Sequence, residues 1–114
     1  EIDFDVSTIL GCTTGADLVC SFDVLEHIPT DEVDETLRHL DGLASRAQCH
    51  CISSGPDLRR VDGVVKQMHL TDKPATWWLN RFKEVDPHKL YRMGICQHRP
   101  QFRFAIWALN RGKK

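Results

Sequence analysis

An α/β layered fold with a mixed sheet is what this sequence predicts, on three observations. Two short apolar runs, DLVCSF (residues 17–22) and QCHCISS (48–54), have the composition of buried parallel strands. A stretch with helical spacing lies between them, and a second one follows. Two aromatic-rich runs close the chain, KLYRMGICQH and QFRFAIWAL, joined only by RP, and predict an antiparallel hairpin. Strand, helix, strand, helix and hairpin in that order imply helices layered on a sheet of mixed direction.

Each element has its own signal. IDFDVS (2–7) alternates briefly and reads as a strand end, and TILGCTTGA reads as a Gly/Thr-rich loop. Gly11 and Gly15 resemble a nucleotide-binding loop only superficially. Such a loop needs a helix after it, and here Ala16 runs straight into a strand. TDEVDETLRHLDGLA (30–44) is the clearest helix. Thr30 is placed to cap it, four acids crowd its first turns, and Val33, Leu37, Leu40 and Ala44 form one apolar face. Residues 57–71 are polar, with VVKQM as a short strand or turn. DKPATWWLNRF (72–82) predicts a second helix, capped by Asp72, with Pro74 in its first turn and Trp78 and Phe82 one turn apart.

The 114 residues suit one domain, with 41% hydrophobic and 27% charged residues. No apolar run reaches the ~20 residues of a membrane span. The start has no signal-peptide pattern. Five cysteines, Cys12, Cys20, Cys49, Cys51 and Cys96, form no C-x-x-C pair, which points to a reducing, cytoplasmic setting. Net charge is −1, unevenly spread: residues 1–45 hold eleven acids and one base, while residues 81–114 hold nine bases and two acids. The basic end suits phosphates, so nucleic acid stays open as a partner without being indicated. The plainer expectation is two faces that attract each other.

DLVCSFDVLEHI (17–28) resembles the fourth strand and following turn of class I S-adenosylmethionine-dependent methyltransferases, whose Rossmann-like sheet often carries DLVxxxDVLEHI there. MHLTDKPATWW (68–78) is similar to an HLxxxPxxWW segment in a compact bacterial and phage branch, and the hairpin matches the family's sixth and seventh strands. The family's first strand and glycine-rich loop have no counterpart here. The resemblance therefore implies a single domain over residues 1–114, shortened at its N-terminus relative to the family. It implies S-adenosylmethionine as cofactor and methyl transfer to an unknown acceptor. A noncatalytic binding or assembly module that has lost the cofactor loop is the competing class. An absent central strand would leave sheet edges open, so self-association is also expected.

In open α/β sheets, ligands sit beyond the carboxyl ends of the strands. By the resemblance, Asp5 matches the acid that binds the cofactor ribose, and Phe22 and Asp23 face the methionine or adenosyl portion. His69, before the second helix, is the preferred acid/base or acceptor-contacting residue. His27 has a near-neutral pKa suited to a base. Glu26 is its neighbour, although adjacent residues point differently and either can instead bond nearby backbone. No metal site is assigned. In Cys49-His50-Cys51, strand alternation turns the cysteines away from the histidine, and C-x-C lacks zinc-finger spacing.

Overall fold

The computed structural model describes residues 15–98 and 102–111. Its main sheet has four strands in the order β1-β2-β6-β5. β1 (Ala16–Phe22) runs parallel to β2 (Ala44–Ser54), with Cys20 beside Cys49 and Phe22 beside Cys51. β6 (Phe102–Leu109) runs antiparallel to both β2 and β5 (Leu90–Gln97). The mixed sheet and the terminal hairpin are thus as expected from the sequence.

Two helices, α1 (Val33–Leu43) and α2 (Ala75–Val85), bury their apolar stripes against one another and the sheet. Leu37 and Leu40 of α1 meet Trp78 and Phe82 of α2 over Ile52, Phe104 and Ile106. Each such fully buried side chain contributes roughly 1.5–3 kcal/mol through water exclusion. The alternation of β6 shows which face this is. Phe104, Ile106 and Ala108 are buried, whereas Trp107 is 45% and Leu109 37% exposed on the opposite face. His50 points to the helix side and stacks on Phe82, while Cys49 and Cys51 point away, as strand periodicity requires.

Both expected helix caps are corrected. Thr30 opens a 3-10 turn (Thr30–Glu32) rather than α1, and its hydroxyl donates to the Leu70 carbonyl. Asp72 does not cap α2, because its carboxylate accepts the Gly55 N–H at 2.7 Å. In both cases a cross-chain partner that pins the loop before α2 outcompetes the local cap. After β2 the expected short strand in VVKQM forms as β4 (Val64–Gln67), and it pairs with an unexpected partner, β3 (Leu58–Val61), in a hairpin. Asp62 and Gly63 turn between them with φ 51° and 78°, the two positive angles of a two-residue type I′ turn.

The uneven charge is used internally. Arg81 of α2 pairs with Asp34 of α1, Lys89 pairs with Asp41, and Arg103 of β6 pairs with Asp23 after β1. The basic and acidic halves therefore attract each other. No helix among the described residues is long and apolar enough to cross a membrane.

Candidate functional site

β1 ends at the sheet's carboxyl edge, and the chain turns there on Asp23, whose φ of 57° is unusual for a non-glycine residue. The turn is held on both sides. The Asp23 N–H donates to the Cys51 carbonyl at 3.0 Å, and its Oδ1 accepts from Ser53 Oγ at 3.0 Å and Arg103 Nε at 3.1 Å. A 3-10 turn over Leu25–His27 follows. Leu25 enters the core, and Glu26 beside it is equally inaccessible, at 0% exposure.

Glu26 is an uncommon thing, a fully buried carboxyl group. Its Oε2 accepts the Ser53 N–H at 3.2 Å. Among the described residues its Oε1 has no hydrogen-bond partner. Burial raises its pKa above the ordinary carboxylate value, against the lowering effect of its backbone hydrogen bonds.

His69 reaches the same place from the loop before α2. That loop is fastened at several points. The Thr71 N–H donates to the Glu26 carbonyl, Thr71 Oγ1 donates to the Ile28 carbonyl at 2.6 Å, and the His69 N–H donates to Gln67 Oε1. The imidazole is 4% exposed, so it is no surface histidine. Its Nδ1 lies 2.7 Å from the Gly55 carbonyl oxygen. A carbonyl only accepts, so Nδ1 carries the hydrogen and Nε2 keeps a lone pair in the neutral ring. That Nε2 lies 4.0 Å from Glu26 Oε2 and 3.7 Å from Asp57 Oδ2. His27 repeats the arrangement, with Nδ1 2.8 Å from the Met68 carbonyl oxygen. The two rings meet edge to face, with centroids 5.0 Å apart. Glu26, His27 and His69 each offer one ligand atom, all within 4.8 Å of one another.

The structure thus brings together Glu26, His27 and His69, which sequence spacing alone left separate. Phe22 stands at the end of β1 and is 67% exposed, facing away from the helix side of the sheet, as Leu18 and Cys20 do. Asp23 is beside it, with Oδ1 committed to Ser53 and Arg103. Asp5 lies outside the described residues, as do IDFDVS and Gly11. Sequence reasoning missed Asp57 and Arg103. Asp57 directly follows the SGP that ends the second strand, a position close to the crevice. Arg103 is brought to Asp23 only by β6 pairing with β2, and no local pattern announces that.

This topology identifies the fold. The chain has the α/β fold of class I S-adenosylmethionine-dependent methyltransferase structures over part of their length. The chain is similar to magnesium protoporphyrin IX methyltransferase from Synechocystis PCC 6803, solved with bound SAM, at TM-score 0.60 and 21% identity. That match covers 90% of this chain and 43% of the other. An O-methyltransferase family protein from Burkholderia thailandensis gives TM-score 0.59 and 19% identity, over 96% of this chain and 34% of the other. DhpI in complex with SAH gives 0.63 and 13%, over 90% of this chain and 52% of the other. The chain therefore spans about half or less of each of these structures. No protein-family model matches the chain, and no curated protein matches it.

Proposed function

We propose that this chain forms one wall of the crevice of an S-adenosylmethionine-dependent methyltransferase. The observation that carries the reading is the convergence of Glu26, His27 and His69 in the turn and loop beyond the carboxyl end of β1, the strand that ends on exposed Phe22. When bound, S-adenosylmethionine supplies an electrophilic methyl group on its sulfonium. The residues present fit one side of that cofactor. The Phe22 ring is open for contact with the adenosyl or methionine portion, and Asp23, braced by Ser53 and Arg103, shapes the floor beside it. Asp5 would accept from the ribose hydroxyls through its two carboxylate oxygens.

On this reading His69 holds the acceptor. Its Nε2 lone pair, fixed by the Gly55 carbonyl behind it, takes a hydrogen bond from the group to be methylated. His27 offers a second such lone pair, and Glu26 supplies negative charge behind both. Holding nucleophile and methyl group in line is most of what this chemistry asks of a protein. The acceptor itself is unassigned. Cytoplasmic residence belongs to the same proposal and is supported by the free thiols of Cys20, Cys49, Cys51 and Cys96.

Calorimetry with S-adenosylhomocysteine on the 114-residue chain tests the reading. Binding is expected, and Phe22→Ala weakens it about tenfold, the loss of roughly 1.4 kcal/mol of ring contact. Silence at millimolar ligand would remove cofactor use by this chain. Asp5→Ala also weakens binding, and an unchanged affinity would reject the ribose assignment.

A further inference from the structure

We propose that Glu26, His27 and His69 bind a divalent first-row transition-metal ion. Three independent features of the cluster point to it. The first is donor convergence. An ion about 2.1 Å from each of two donors tolerates a separation between them of up to about 4.2 Å. The His69 Nε2 to Glu26 Oε2 distance is 4.0 Å, and one ligand atom from each of the three residues lies within 4.8 Å of the others, so side-chain rotations close the set.

The second feature is ring orientation. A metal-ligating histidine characteristically donates its other ring N–H to a carbonyl or carboxylate, which fixes the tautomer and aims the lone pair. Both histidines do so, His27 to Met68 and His69 to Gly55, each through Nδ1. Each is left with Nε2 as its available donor.

The third feature is an unsatisfied acceptor. Glu26 is 0% exposed, yet among the described residues its Oε1 has no partner. A buried acceptor left unmade costs about 1–3 kcal/mol, more if charged. Asp57 Oδ2 adds a further oxygen 3.7 Å from His69 Nε2. Electron-rich atoms therefore face one another, which is unfavourable unless a proton or a metal cation lies between them.

The donor set indicates the kind of ion. Two imidazoles and one carboxylate suit zinc, iron and cobalt better than calcium or magnesium, which prefer all-oxygen sites. Three protein donors leave positions open for water or for an oxygen of a bound molecule. Ligation and direct hydrogen bonding to an acceptor both use His69 Nε2, so they exclude one another at any instant. An ion would stand between the ring and the acceptor.

The inference does not depend on methyl transfer, and its test needs neither cofactor nor acceptor. The 114-residue chain is stripped with chelator and titrated with Co²⁺ and Zn²⁺. The expected result is one ion per chain at micromolar affinity, with Co²⁺ d–d bands and no thiolate charge-transfer band. His27→Gln, His69→Gln and Glu26→Gln each weaken binding at least tenfold, while Cys20→Ser/Cys96→Ser leaves it unchanged. If the buried His69 variant fails to fold, half-buried His27 carries the test. Full affinity in His27→Gln, substoichiometric binding, or a sulfur charge-transfer band would each overturn the assignment.

Discussion

His69 Nε2 stands 4.0 Å from Glu26 Oε2, and the end of a single strand sets that separation. The Ser53 N–H holds the carboxylate, and the Gly55 carbonyl, two residues on, holds the imidazole. Such an arrangement favours function over stability, since a buried carboxylate and an aligned lone pair repel.

Glu26→Gln exposes that conflict. The amide oxygen keeps the Ser53 bond, and the group facing His69 Nε2 no longer carries a charge. Removing a buried charge and an unsatisfied acceptor should stabilise the metal-free chain by about 1 kcal/mol. For a domain of this size that is a rise of roughly 4 °C in Tm. Thermal unfolding in chelator checks it, and an unchanged or lower Tm would show that Glu26 is not strained.

His50 gives the fold a pH limit. It is fully buried, with Nε2 donating to Gln48 Oε1 at 2.9 Å and Nδ1 accepting from Ser21 Oγ at 2.7 Å. Burial pushes its pKa down from 6.5 to about 4. Between those two values the unfolded chain binds a proton that the folded chain does not. The contribution is therefore complete above about pH 6.5 and falls as pH drops toward 4, by on the order of 3 kcal/mol in all. Urea unfolding at pH 7.5 and pH 4.5 measures the difference. His50→Gln should flatten that part of the profile, and a variant with the wild-type slope would exclude His50 as its source.

How legible was this in the sequence? The apolar runs around Val19 and Ile52 and the stripe from Val33 to Leu40 identify the sheet and first helix, because period and burial are local properties. Of the β3–β4 hairpin only VVKQM was legible as a short strand, because the polar LRRV run hid the partner that Asp62-Gly63 turns back onto it. The helix caps were misread because Thr30 and Asp72 have partners about 40 and 17 residues away. The site fared likewise. Its residues could be named from the motif, yet their convergence depends on a loop pinned by Thr71, and no spacing encodes that.

Lys89 ties the hairpin to α1. Its side chain is 8% exposed and pairs with Asp41, which also accepts from Gln48 Nε2, and with Asp86 at 3.9 Å. Breaking a fully buried pair typically costs 3–5 kcal/mol. Here both acids keep partial solvent contact, 23% and 24%, which lessens the penalty. Lys89→Ala should destabilise the chain by about 2 kcal/mol. Denaturant midpoints at matched slope would show it, and a loss below about 0.5 kcal/mol would place the pair among the weak surface bridges.

Self-association is the last expectation, and β1 supplies the reason. Among the described residues β1 pairs only with β2, so its other edge carries backbone groups without a strand partner. The face turned from the helices adds apolar area there, with Leu18 52% and Phe22 67% exposed. An open edge beside apolar side chains is a template for strand pairing between chains. The 114-residue chain should therefore form dimers or larger species at high concentration. Leu18→Lys should shift the equilibrium toward monomer at least tenfold, because lysine on an edge strand resists pairing. Light scattering after size exclusion over a range of loading concentrations measures both. A wild-type chain that stays monomeric throughout would mean that this edge is protected.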